Sequence, residues 1–245
     1  DAPTVTIAGT DLTSAEAGTA TGTVTINLSN SSTVAKTVNL TLGGTASTGL
    51  GTDYNLSGTG VTWTGGTSLT VNFPAGTTSR PILLTPVDDS LDEGDETVSF
   101  TTANGTGYTH GSTSQTITIT DDDAPTVTIA GTDLTSAEAG TATGTVTVNL
   151  SNSSTVAKTV NLTLGGTAST GLGTDYNLSG TGVTWTGGTS LTVNFPAGTT
   201  SRPILLTPVD DSLDEGDETV SFTTANGTGY THGSTSQTIT ITDDD

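Results

Sequence analysis

Carboxylates are the only abundant side chains in this sequence that could do chemistry. There are 25 Asp and Glu against 4 Lys and Arg, with two His and no Cys. In the first half they fall at Glu16, at Asp53, in the run Asp88, Asp89, Asp92, Glu93, Asp95 and Glu96, and at Asp121, Asp122 and Asp123. Asp11 stands apart. An oxygen-only set, without imidazole or thiolate, suits hard cations. Calcium takes about six to eight oxygens in tolerant geometry and fits loops better than magnesium. Read as an EF-hand from Asp88, the loop has Glu93 where glycine is required and Ser99 where the bidentate Glu belongs, so that motif is excluded. The glycine-rich calcium nonapeptide is absent too. His110 and His232 lie singly in glycine-rich stretches with no Ser/His/Asp pattern, so no enzyme activity is expected.

The elements that must position these acids follow from an internal repeat. Residues 1–122 recur as 123–244, the only difference being Ile26 against Val148, and Asp245 opens a third copy. A period of this length fits a complete domain rather than a solenoid unit. Two tandem domains are expected, 1–122 and 123–245. Each shows apolar residues alternating with Thr: Val5 and Ile7, Val24 to Leu28, Val38 to Leu42, Leu69 to Phe73, Val98 and Phe100, Ile117 and Ile119. Alternation of period two marks half-buried strands. Seven are expected, near 3–8, 20–28, 34–42, 68–73, 80–87, 96–103 and 115–120, with no amphipathic helix. The predicted fold class is all-β: two tandem immunoglobulin-like antiparallel β-sandwiches.

Strand parity then sorts the acids. With consecutive strands running in opposite directions, the first, third and fifth connections share one end with the close of the last strand. That end collects Glu16, Asp53, the 88–96 run and Asp121 to Asp123. The loops at the other end contain no Asp or Glu, and Lys36, Arg80 and His110 lie in or beside them. Asp11 has no place in this scheme. About ten carboxylates at one end repel strongly, each pair 4 Å apart costing about 4 kcal/mol at an effective dielectric near 20. No Lys or Arg lies at that end to offset this, so shared calcium ions are the expected counter-charge.

The segments Ser14-Ala-Glu16-Ala-Gly18, Gly51-Thr-Asp53-Tyr54, Phe73-Pro-Ala-Gly76, the run from Val87 to Glu96 and Thr118-Ile-Thr-Asp-Asp-Asp123 together resemble the Calx-beta domain. The resemblance covers each 122-residue unit almost end to end. It implies a calcium-binding sandwich whose ligands correspond to Glu16, Asp53, Asp88, Asp89, Glu93, Asp121, Asp122 and Asp123. In the second copy these become Glu138, Asp175, Asp210, Asp211, Glu215, Asp243, Asp244 and Asp245. Glu96 also matches an acid of the family and ranks below this set. The stretch from Gly43 to Thr67, which holds Trp63, is longer than the family pattern and could form an extra hairpin.

A net charge of −21 excludes a nucleic-acid binder that works by phosphate neutralisation and argues against docking on anionic membranes. No apolar run is long enough to span a bilayer, so no membrane insertion is expected. Near-identical copies suit length, stiffness and avidity better than catalysis. The expected function is therefore structural: a monomeric, calcium-binding extender of a secreted or cell-surface adhesin, bacterial by its resemblance, whose partners are calcium and the neighbouring repeats. The alternatives are a calcium sensor, or a carbohydrate- or protein-binding module that uses the 43–67 loop with Tyr54 and Trp63.

Overall fold

The computed structural model describes every residue except 112, 140, 234 and 245. The chain divides into two compact units, Asp1–Asp122 and Asp123–Asp245. In the first, the strands are β1 (Thr4–Asp11), β2 (Thr13–Ala15), β3 (Gly22–Leu28), β4 (Lys36–Gly44), β5 (Tyr54–Ser57), β6 (Val61–Thr62), β7 (Ser68–Phe73), β8 (Ser79–Pro86), β9 (Glu96–Thr102), β10 (Thr109–His110) and β11 (Ser114–Thr120). They form a five-stranded sheet, β10-β1-β3-β8-β5, and a six-stranded sheet, β2-β11-β9-β4-β7-β6. The second unit repeats this plan from Thr126–Asp133 to Ser236–Thr242, with the same two sheet orders.

The alternating residues meet between the sheets. Val5, Val24, Ile26, Ile82 and Leu84 come from the first sheet, and Val38, Leu40, Val71, Phe73, Phe100, Ile117 and Ile119 from the second; all are at most 2% exposed. Burying a side chain of this size contributes roughly 1.5–3 kcal/mol. The intervening Thr, Ser and Asn face outward, which produces the buried–unburied alternation along β3 and β9.

The seven expected strands are present, and four short ones join them. Their placement differs from a plain antiparallel meander in two respects. The opening strand is split: its pairing with β3 slips between Gly9 and Asp11, and the chain then crosses to the other sheet as β2, parallel to β11. Asp11 serves this crossing, because its Oδ1 accepts from the Thr13 N–H (3.2 Å) and from the Thr13 hydroxyl (3.3 Å). That local turn is a common use of Asp. The crossing has a direct consequence for the site, since it lays Glu16 against the end of β11, where the Glu16 N–H donates to the Thr120 carbonyl (3.1 Å).

The 43–67 stretch is the second difference. It does not form a hairpin of its own. β5 pairs with β8 in one sheet and β6 with β7 in the other, so the segment extends both sheets by one short edge. Tyr54 is fully buried and stacks on Trp63 at 5.2 Å between centroids and 6° between planes, while the Trp63 indole N–H donates to the Gly66 carbonyl (2.9 Å). Tyr54 therefore has no face free for a sugar, and the pair closes the edge of the sandwich between the two sheets.

One backbone position, at the end of β4, is restricted to glycine. Gly44 has φ +116°, and a Cβ there would fall on the Thr97 carbonyl, which already accepts from the N–H groups of Thr45 (3.0 Å) and Ala46 (3.1 Å). Gly44→Ala is expected to destabilise the first domain by roughly 3 kcal/mol, from the left-handed backbone and the clash together. Because Gly166 in the second copy is untouched, calorimetry should resolve one lowered transition and one unchanged.

Candidate metal centre

Four separate segments deliver the carboxylates. Glu16 follows β2 and is 4% exposed; Asp53 precedes β5 and is 8% exposed. Asp88 to Asp95 form the connection between β8 and β9, Glu96 opens β9, and Asp121 to Asp123 follow β11. Their ligand oxygens gather in three groups, each within 4.8 Å: Glu16 with Asp121 and Asp123, Asp53 with Glu93 and Glu96, and Asp88 with Asp122 and Asp123. Asp123 belongs to two of them.

Backbone bonds hold these segments together. The Asp53 carbonyl accepts from the Val87 N–H (2.9 Å), and its carboxylate accepts from the Ser47 N–H. Asp121 ties the last segment to the long connection: its Oδ1 accepts from the Glu93 N–H (3.2 Å), and its own N–H donates to Asp95 Oδ1 (3.3 Å). Asp89 behaves differently. It lies in none of the three groups, and its Oδ1 accepts from the Leu91 N–H two residues on (2.7 Å), the ordinary turn-forming use of Asp.

In the second copy the corresponding group is Asp175, Glu215 and Glu218. The counterparts of the other two groups each need Asp245, which lies outside the described residues. Glu138 is 5% exposed, and the charges of Asp243, Asp211, Glu215 and Asp244 all act on it. Asp243 accepts from the Glu215 N–H (3.5 Å), as Asp121 does from Glu93. Asp211 bonds the Leu213 N–H (2.8 Å), as Asp89 bonds Leu91, and Asp210 and Asp244 are exposed.

Glu96 and Glu218, ranked below the other acids from the sequence, take part in the groups built around the buried Asp53 and Asp175. The available signal was register. Glu96 opens β9 in phase with the inward-facing Val98 and Phe100, and so turns toward the sandwich rather than away from it.

Crowding shows in the proton affinities. Burial pushes the Glu96 carboxyl up to about 8, and so do a hydrogen bond with Asp53 and the charges of Asp53, Glu93 and Glu16. Glu218 rises to about 7 for the same reasons in its own copy. Glu93 is raised by burial first, then by Asp53, Asp89 and Asp121. A hydrogen bond between two carboxyl groups requires a proton on one of them. Without that proton the pair needs a cation. The Glu96 Oε2 atom is buried in this group with no hydrogen-bond partner, and Glu218 Oε2 repeats this in the second copy. A buried acceptor left unsatisfied is costly, and a divalent cation would satisfy it. The oxygen-only donors therefore fit a hard ion such as calcium.

The sign of the pH dependence follows. Between about 4.5 and about 8 the folded, metal-free protein holds a proton at Glu96 that the unfolded chain has released. Stability should then fall as pH rises through that window. In chelator, the melting temperature of the tandem is expected to rise by several degrees from pH 8 to pH 5. Glu96→Gln, which removes one charge, should raise the first domain's transition at pH 8 in chelator while weakening its metal binding. Calorimetry at the two pH values checks both.

The family model of the Calx-beta domain matches the sequence twice in tandem, over residues 1–123 and 120–245. Among solved structures, CBD12 from CALX1.2 is similar at 17% identity and a TM-score of 0.37, covering 94% of this chain and 96% of that one. The Yersinia pseudotuberculosis adhesin InvE is similar at 13% identity and a TM-score of 0.38, covering 98% of this chain and 59% of that one. No curated protein matches the sequence. The double match, spanning the whole chain in the same order as the repeat, shows that this chain belongs to the Calx-beta domain family as two consecutive copies.

Proposed function

We propose that each domain is a calcium-stabilised spacer in a longer, repetitive, secreted or surface-exposed protein. The observation that carries this reading is the partly buried group of Asp53, Glu93 and Glu96, drawn from separate segments and holding a buried Glu96 oxygen with no hydrogen-bond partner. Calcium there would be held by Asp53, Glu93 and Glu96. Further calcium would be held by Glu16, Asp88, Asp121, Asp122 and Asp123, with the equivalent acids in the second copy. The ion supplies positive charge where carboxylates otherwise repel, and it ties four chain segments together. Asp89 and Asp211 contribute charge to the same end.

The extender role is supported by the repeat itself. Two copies that differ at one position add length and no new chemistry. The only residues after β11 and before the next strand are Asp121, Asp122, Asp123, Ala124 and Pro125. Three of these five are carboxylates in the groups described above, so the same ions that stabilise the domain would also fix the connection to the next repeat. Pro125 restricts its own φ and biases Ala124 toward extended backbone.

Two outcomes are expected. Ligand binding to the folded state adds about 2.7 kcal/mol per independent site at ~100-fold excess over Kd. Calcium should therefore raise both transitions by many degrees, and magnesium should do little. Equal melting temperatures in calcium and in chelator would remove the reading. Small-angle scattering should give a longer maximum dimension for the tandem in calcium than in chelator, under conditions where both domains stay folded. An affinity near 10⁻⁴–10⁻³ M, the range of extracellular modules, would fit a spacer; micromolar affinity would favour a sensor.

A further inference from the structure

We propose that Asn104 and Asn226 are sites of spontaneous backbone-assisted deamidation, which places a new carboxylate in a loop of each domain that otherwise has no Asp or Glu. The co-reactant is water alone. Each copy contains a single Asn-Gly pair, Asn104-Gly105 and Asn226-Gly227. Every other Asn precedes Leu, Phe or Ser, whose side chain hinders attack at the preceding carboxamide. Asn27, Asn39, Asn55 and Asn72 also lie within β3, β4, β5 and β7, where the ladder holds the backbone extended.

The loop leaves both reacting groups available. Asn104 and Gly105 are exposed, as are Asn226 and Gly227. Among the described residues, neither the Asn104 carboxamide nor the Gly105 N–H has a hydrogen-bond partner, and the same holds in the second copy. The rest of the loop is held in place around them. The Asn104 carbonyl accepts from the Asn39 side-chain amide (3.1 Å), and the Tyr108 hydroxyl donates to the Ala103 carbonyl (3.0 Å) while accepting from the Asn39 N–H (2.9 Å). Glycine is fixed at 105 for its own reason: a Cβ there would collide with the Tyr108 ring. The packing that anchors the loop thus retains the residue that makes its neighbour reactive.

The step balances without any oxidant or reductant. Base removes the Gly105 N–H proton, and the nitrogen attacks Asn104 Cγ. The bond from Cγ to the amide nitrogen breaks, and ammonia leaves with a proton from solvent. Water then opens the five-membered imide. Addition at Cγ gives Asp at 104. Addition at the main-chain carbonyl gives isoaspartate, with the backbone rerouted through the side chain. Either product adds one negative charge. Residues 29–35, 74–78 and 103–113 contain no Asp or Glu, and Lys36, Arg80, Tyr108 and His110 are the charged or titratable groups in or beside them. Lys36 Nζ lies close to Gly107 in the same loop. The modification therefore offsets part of the positive charge of Lys36 and Arg80 beside these loops and leaves the acidic end untouched.

The test is incubation of the intact tandem at 37 °C in calcium buffers of rising pH, followed by ion-exchange chromatography. Peptides from the two copies are identical in this region, so variants assign the sites. The wild type should develop two successive more acidic species, at rates that rise in proportion to hydroxide. Asn104→Gln and Asn226→Gln should each retain one, and the double variant none. In heavy-oxygen water the first species should gain one labelled oxygen and the second two. A synthetic peptide of the loop should react within a few-fold of the folded protein. Acidic species that persist in the double variant would overturn the assignment. A folded rate suppressed by orders of magnitude relative to the peptide would overturn the claim that the fold leaves these groups free.

Discussion

Mutual repulsion of carboxylates at one end of a small sandwich is the constraint on which the rest of this structure turns. Glu16 and Asp53 are almost wholly buried, and burial together with the neighbouring Asp53, Glu93 and Glu16 pushes the Glu96 carboxyl up to about 8. Taking such groups out of water is expensive unless an opposite charge compensates. Neither domain has a cation at that end to do so. Lys36 and Arg80 open β4 and β8 at the opposite end from the connections that bear the acids. A proton or a divalent ion must therefore complete each group, and the choice between them couples metal affinity to pH, as it does wherever ligands must be deprotonated.

The fold concentrates these charges through two features. Antiparallel progression returns alternate connections to the same end, which brings the segments of Asp53 and of Asp88 to Glu96 together. The split first strand does the rest. By crossing to the second sheet and running parallel to β11, it carries Glu16 beside the residues that follow the last strand. An unbroken first strand in the first sheet would leave Glu16 without this neighbour. Asp11, which has no partner in the acidic groups, has its role here as the side chain that turns the crossing.

The long strands were legible in the sequence because each buries one face, and strict alternation is a strong pattern over six or more residues. The short ones were not. β6 and β10 have two residues each, too few for any period to register. β5 and β2 lie among glycines and small polar residues that read as loop, and their pairing is decided by distant partners. The site was legible at the level of segments. Parity named the four stretches, while the choice among neighbouring acids depended on side-chain direction. Glu96 and Asp89 illustrate the difference. Glu96 opens a strand in the inward phase and joins the group around the buried Asp53. Asp89 sits in a turn and spends an oxygen on the backbone two residues ahead.

The outward faces of the sheets explain why so acidic a chain can still form so many strands. Asp11, Lys36, Tyr54, Arg80, Glu96 and His110 are the charged or titratable residues found within strands of the first unit, and all lie at or next to strand ends. Strand interiors present Thr, Ser and Asn to solvent instead. Threonine satisfies β-propensity through its branched Cβ and solubility through its hydroxyl. Several hydroxyls also bond across strands or loops, as in Thr4 with Thr109 (3.0 Å), Thr45 with Thr97 (3.2 Å) and Thr101 with Ser114 (3.4 Å). Charged faces would have added repulsion along the whole sheet, whereas neutral hydroxyl faces leave the charge in the loops, where a bound cation can reach it. Edge strands are correspondingly short, two to four residues at β10, β5, β2 and β6, which limits the open backbone that an uncharged sheet would offer to other chains.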